Sequence, residues 1–378
     1  MRVGVLTFHR STNFGTMLQA HATIQLLESL GVEAELIDYR PSYIERTYKR
    51  KREISSPKDV LSVIYNSMIY KNAFTQKADR FIEYHSNLSV SNKACTTIQE
   101  LERICSEYDI ILSGSDQLWN KNITGDDFAY FFPFSHPYKV SLASSFGTKT
   151  IDKEREKDIL PYLKDFKHIT VREKTAKTIL LNILENSSES DIRVILDPTM
   201  IITRNEWSKF ELAVDKIPSD GYILTYYMIE TPILRKITET LEEKTGLKVV
   251  NVKPSKRQMI KREGINLPDI GPGEFLKCYS GAKYVVTNSF HGTAFALNFE
   301  KPVYVSPLPV SMAGEVNSRL LDLLETFRLQ SRWIDTEEKL SKIDPSEGLD
   351  ISHILQNKRD MSKESVVEMI FGGLNNHA

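Results

Sequence analysis

Tyr284-Val-Val-Thr-Asn-Ser-Phe-His-Gly-Thr-Ala-Phe-Ala-Leu-Asn298 begins as an apolar, β-branched run, breaks into small polar residues and resumes as a helical apolar pattern. The run reads as a buried strand that Thr287, Asn288 and Ser289 are suited to end. Phe290, Ala294, Phe295 and Leu297 then share one helical face. His291 is thereby placed near a helix N-terminus at the carboxyl end of a strand. Open α/β sheets bind ligands there, and free backbone N–H groups favour anions. The placement predicts a proton-transfer group facing an anionic substrate. Taken singly, the same imidazole also reads as a hydrogen-bonded structural histidine.

Outward from this stretch the same alternation recurs. Tyr222–Tyr227 reads as a strand, Thr231–Lys244 as a helix closed by Gly246, and Lys248–Val252 as a strand. Pro302–Ser306 reads as another strand, and Val316–Leu329 as a leucine-rich helix. At the other end of the chain, Val3–Phe8 leads through a polar loop, His9–Gly15, into a helix with Gly31 at its cap, and then to Ala34–Tyr39. Strand, loop, helix, strand at this length is the unit of a parallel sheet. Further strand patterns lie at Asp109–Ser113, Val140–Phe146, His168–Val171 and Ile192–Leu196. The expected class is α/β, with two Rossmann-like domains facing a cleft. Residues 1–205 form the first domain, with a helical, basic insertion at about 42–88. Residues 206–332 form the second, and 333–378 form a tail that packs back on the first.

The chain has 378 residues and a formal net charge of −1, so nothing global draws it to nucleic acid or to an anionic membrane. Cys95, Cys105 and Cys278 form no C-x-x-C pair and read as reduced thiols. No apolar run approaches the ~20 residues that span a bilayer, and the N-terminus opens directly on a strand. A cytoplasmic, soluble protein is expected, without a metal or a bound cofactor.

Several other polar residues fall at strand ends. Ser115, Asp116 and Gln117 follow Ile111–Gly114 and suit sugar hydroxyls, or removal of a proton from one; Ser115 or Asp116 is equally placed to cap a helix. His9, Arg10, Asn13 and Gly15 occupy the same edge after the first strand, without the glycine spacing that cradles a pyrophosphate. Asp38 is a weak ribose-binding acid or a satisfied strand-end residue. Arg172 follows His168–Val171; its fork suits a carboxylate or a phosphate, or an ion pair with a neighbouring Glu. The basic runs Tyr48–Arg52 and Lys253–Arg262 read as solvated faces or as contacts to the phosphates of a large acceptor.

Together these segments resemble the polysaccharide pyruvyltransferase family. The matching pieces are Gly4–His9 with Asn13-Phe-Gly15 and Leu18-Gln-Ala20, Ser113–Asn120, and Ala143–Gly147. Val171-Arg-Glu173, Leu196-Asp-Pro-Thr199, and Val286–Gly292 with Lys301-Pro302 follow in order. The resemblance implies a two-domain fold like that of GT-B glycosyltransferases, with an acceptor side in the first domain and a donor side in the second. It also implies transfer from phosphoenolpyruvate onto a sugar as a cyclic pyruvate ketal. Carried over by motif, Arg172 and His291 match positions for donor binding and catalysis; from the strand-end reading, Asp116 is the expected base beside His291, and the other strand-end residues divide between donor and acceptor. Arg172, Asn288, Ser289, Gly292, Thr293 and Arg319 bind the donor, and His9, Asn13, Ser115 and Gln117 the acceptor. Where other branches of the family carry an arginine near the histidine, Ser289-Phe290 stand here; Arg319, Arg10 and Lys301 are the candidate substitutes. The expected partners are phosphoenolpyruvate and a glycan or lipid-linked oligosaccharide, met at the inner face of the membrane in the second case. A nucleotide-sugar glycosyltransferase and a non-catalytic glycan-binding protein are the rival readings.

Overall fold

A computed structural model describes residues 1–43, 68–70, 72–185, 191–309 and 317–372 of the chain. One sheet holds β1 (Arg2–Leu6), β2 (Glu33–Leu36), β3 (Ile110–Ser113), β4 (Lys139–Ser144), β5 (Phe166–Val171) and β6 (Ile192–Val194). A second holds β7 (Ile223–Tyr226), β8 (Val249–Val252), β9 (Ile265–Leu267), β10 (Tyr284–Thr287) and β11 (Val303–Val305). The orders are β2-β1-β3-β4-β5-β6 and β11-β10-β7-β8-β9, and the paired strands run parallel. Parallel sheets are covered on both faces, which is why β3, β7, β8 and β11 are buried at every position.

In each sheet the direction of winding reverses once. The first reverses between β1 and β3, the second between β7 and β10. The loops at the carboxyl ends of those strand pairs are the crevices where such sheets take ligands. They contain residues 7–13 and 114–120 in one unit, and 227–231 and 288–289 in the other.

Helix α1 (Phe14–Ser29) joins the two units. Asn13 caps it, its side-chain oxygen accepting from the N–H of Gly15 and Thr16. From Phe14 to Ile24 every residue is buried, as expected of a helix packed on all sides. It lies against helices Pro272–Gly281 and Phe290–Asn298 of the second unit. Phe14 stacks on Phe275 at 4.4 Å and meets Tyr226 edge-on at 5.8 Å. One apolar core therefore runs through both sheets.

A long helix, Ser352–Phe371, is laid against the first unit. Ser362 accepts from the N–H of Leu196, Tyr138 donates to the Met369 carbonyl, and Arg193 pairs with Glu368.

Elements with little local signal were not anticipated. β9 is three residues at a sheet edge, too short to show a period. Helix Lys153–Leu163 carries Pro161 and is mostly charged, burying only Arg155, Ile159 and Leu163. Of the expected insertion, Ala73–Ser86 is a helix; residues 44–67 and 71, with the run Tyr48–Arg52, lie outside the described residues. Among the described residues no helix is long and apolar enough to cross a membrane.

Candidate active site

A cleft of about 690 Å³ lies between the switch points of the two sheets. Arg10, Asn13, Thr16, Asp116 and Gln117 line it from the first unit; Asn288, Ser289, Phe290, His291 and Arg319 line it from the second. The helices beginning at Phe14 and Phe290 both start at this cleft, capped by Asn13 and by Ser289, whose hydroxyl accepts from the N–H of Gly292.

Beneath the cleft is a dense charge cluster. Arg172 follows β5, and its side chain is wholly buried. It donates to Asp197 at 3.0 Å, lies 3.4 Å from Asp116 and 3.5 Å from Glu173, and sits 4.4 Å from the Phe290 ring centroid. Asp197 is further held by Ser115 (2.8 Å), by the N–H of Thr199 (3.0 Å) and by its hydroxyl (2.7 Å). Burial opposes ionisation of Asp197, but the adjacent His291 and Arg172 win and hold its carboxyl far below the usual range. At Asp116 burial is likewise outweighed by Arg172 and His291, and that carboxyl is also lowered. Glu173 goes the other way: burial raises it despite Arg172 and Arg319, and Ser145 donates to it at 2.6 Å.

His291 reaches this cluster from the opposite unit. Its Nε2 is 3.7 Å from Asp197 Oδ2 and has no hydrogen-bond partner. The ring is seated against the first turn of α1. A β-carbon built on Gly15 falls 2.1 Å from Nδ1, so the close approach requires glycine there. Asp116 completes the pair across the cleft. Its φ of 84° is a left-handed conformation that costs an aspartate roughly 1–3 kcal/mol. The strain is held in place: one carboxylate oxygen accepts from the Gln117 N–H at 2.9 Å, the other from Thr16 at 3.0 Å.

Arg319 faces the same space under different conditions. It lines the cleft, is 5% exposed, and its Nε lacks a partner. No carboxylate lies within ion-pairing distance of it among the described residues. Burial, then repulsion from Arg172, draws its guanidinium down to about 10, still charged at neutral pH.

Other expected residues divide into those at the cleft and those behind it. Asn13, Gln117, Asn288 and Ser289 line it. Asn288 is engaged by its own backbone surroundings, accepting from the Met228 N–H and donating to the Ile229 carbonyl. Arg172, expected as a donor contact, is instead closed in by carboxylates and Phe290. Ser115, expected on the acceptor side, points inward to Asp197. His9 is also inside, 2.8 Å from the His85 ring nitrogen, and burial with His85 beside it lowers its imidazole to about 3. Gly292 and Thr293 are buried in the helix, where Thr293 donates to the Ser289 carbonyl. Of the alternative cations, Lys301 is spent on the Ser280 carbonyl, and Arg319 and Arg10 line the cleft. Asp38 is bound by Arg40. Asp197, Glu173 and Thr16 were not singled out by sequence. Asp197 lies in the matched piece Leu196-Asp-Pro-Thr199, with Pro198 starting a helical turn after it, and Glu173 lies in Val171-Arg-Glu173; Thr16 had no such signal.

The model of the family described as polysaccharide pyruvyl transferase matches residues 13–306. No curated protein matches the sequence. Among solved structures, UDP-GlcNAc 2-epimerase from Methanocaldococcus jannaschii is similar with a TM-score of 0.60 at 14% identity, covering 98% of this chain and 99% of that one. The S. aureus MnaA–UDP co-structure is similar with a TM-score of 0.51 at 13% identity, covering 99% and 96%. At such identities the likeness is one of fold, and the fold is the GT-B-like pair of α/β domains.

Proposed function

The chain belongs to the polysaccharide pyruvyl transferase family, and on that premise we propose that it moves the pyruvyl group of phosphoenolpyruvate onto a sugar of a surface polysaccharide or its precursor, as a cyclic ketal. The observation that supports this most is the juxtaposition of an unpartnered buried guanidinium, Arg319, with His291 and Asp116 in one cleft. A small, multiply anionic donor with a carbon to be protonated needs that set.

In this reading Arg319 and the backbone amides of the helix that starts at Phe290 meet the donor's negative charges. His291 gives a proton to the methylene carbon, and C2 gains oxocarbenium character. An acceptor hydroxyl adds to C2 and passes its proton to Asp116. Phosphate then leaves with the C2–O bond pair, and a second hydroxyl of the same sugar closes the ketal; its proton goes to phosphate. Donor and diol thus become ketal and inorganic phosphate, and exchange with solvent returns the proton held by Asp116 to His291 before the next turnover. Asp197 acts as a counter-charge to the imidazolium, and Arg172 keeps Asp197 and Asp116 ionised. A positioned acid or base typically contributes ~10²–10⁴-fold, and a fixed cation at the leaving group adds electrostatic stabilisation. The acceptor is a glycan or a lipid-linked oligosaccharide, and in the second case the protein works at the inner face of the membrane.

The test is incubation with phosphoenolpyruvate and a lipid-linked glycan pool, following phosphate release and the pyruvyl mass added to the glycan. Release of a nucleotide from UDP-sugars, with no phosphate from phosphoenolpyruvate, would overturn the reading. Binding of glycan with no donor turned over would replace it by a non-catalytic one.

A further inference from the structure

A second cavity, of about 540 Å³, adjoins the cleft and shares Ser11, Asn13 and Met228 with it. One side is aromatic, built by Phe14, Tyr70, Phe74 and Tyr226. The other character is cationic: Lys77 comes from the first unit and Lys253 from the second. Lys77 Nζ stands 4.3 Å from the Phe14 ring centroid and 5.4 Å from that of Phe81. Lys253, at a left-handed φ of 60°, reaches the Met228 carbonyl at 3.4 Å.

Among the described residues neither amine is paired with a carboxylate. The carboxylate on the cavity wall, Glu230, is already engaged by Ser255 (2.6 Å), Arg257 (2.9 Å) and Arg235 (3.4 Å). Among the described residues no carboxylate lies within 4.0 Å of Lys77 or Lys253. Burial, with Lys253 repelling it, draws the Lys77 amine down to about 7. Lys77 is half-buried and Lys253 is exposed beside it, so an anion between them relieves the desolvation of Lys77 and the repulsion between the two amines.

We propose that this cavity binds a phosphate group of the acceptor, so that the acceptor is a phosphorylated glycan whose reacting sugar extends past Asn13 and Met228 to Asp116 and His291. The inference rests on the pyruvyl-transfer reading for its acceptor, and on the lysine pair and its walls for its chemistry. The aromatic side covers the group attached to the phosphate; Lys77 and Lys253 take its oxygens.

The experiment uses the full chain and the variant Lys77→Met/Lys253→Met, which keeps both apolar stems. Calorimetric titrations with inorganic pyrophosphate, glucose 1-phosphate and a short-chain prenyl diphosphate are run with and without phosphoenolpyruvate. Expected is pyrophosphate binding that persists with phosphoenolpyruvate present and weakens roughly tenfold per lysine removed, the size of a charge-assisted hydrogen bond. Phosphoenolpyruvate affinity is expected to stay unchanged in the variant. Glucose 1-phosphate or the prenyl diphosphate showing the same loss supports the proposal and tells a soluble source from a lipid-linked one. Failure of pyrophosphate to bind, equal binding by the variant, or displacement by phosphoenolpyruvate overturns it. If pyrophosphate binds through the lysines while phosphoenolpyruvate does not bind at all, the donor reading fails and the phosphate site stands.

Discussion

Arg172 and Arg319 both lie near the ring of Phe290, at 4.4 and 5.8 Å, and are otherwise opposites. Arg172 ends β5 in the first unit and is surrounded by Asp116, Asp197 and Glu173. Arg319 stands in the second unit on a helix with Leu320, Leu323 and Leu324, lines open space and has an unpartnered Nε. The first is a cation whose charge is consumed in building the site. The second is a cation with no carboxylate within ion-pairing distance among the described residues, and it is the one we propose meets the donor. Burial alone does not separate a structural from a functional arginine; the number of counter-charges already within reach does.

The comparison breaks most visibly if Arg172 is replaced. Arg172→Met leaves three buried carboxylates around an apolar side chain, and loss of about 3–5 kcal/mol is expected in urea unfolding. A variant as stable as the parent would mean that Arg172 is not the keystone of the cluster. His291→Ala comes next: turnover is expected to fall by more than ~10²-fold with folding retained, measured by phosphate release and by unfolding. Near-normal turnover would remove His291 from the acid role.

Arg319→Met sharpens the contrast. Since no carboxylate is orphaned, stability is expected to hold or rise, while phosphoenolpyruvate affinity weakens roughly 10–100-fold, as for one lost charge-assisted contact. Lost stability with unchanged affinity would make the two arginines alike after all.

The smallest effect is in acid. Asp116 and Asp197 have lowered carboxyl pKa values in the folded protein. Their stabilisation is full above the unfolded value near 3.9 and fades as pH falls further, because the unfolded chain takes up the protons first. Asp116→Asn removes one such group. Its stability should fall less steeply between about pH 4 and 3, by at most about 1.4 kcal/mol per pH unit. Parallel slopes in the two proteins would mean that Asp116 titrates alike folded and unfolded.

Much of this was legible in the linear chain. The strand-to-helix break at Asn288-Ser289 placed His291 correctly, since Ser289 caps the helix that starts at Phe290. Asn13 and Asp116 were found by the same strand-end logic, and both line the cleft. Ser115 and His9 share that logic but turn inward, toward Asp197 and His85. The direction of a side chain leaving a loop is set by its contacts, not by its place in the sequence.

By itself the sequence determined the repeating elements, the two-unit α/β layout and the positions of polar residues at strand ends, because apolar periodicity and caps act over a few neighbouring residues. Only the tertiary structure decided which cation was free and which was spent. Asp197 is 25 residues from the Arg172 it binds, and Asp116 is 56 residues from the same side chain. His291 comes to Asp197 from the other sheet. Electrostatic fate depends on which groups end within a few ångströms of one another, and local pattern holds no record of that distance.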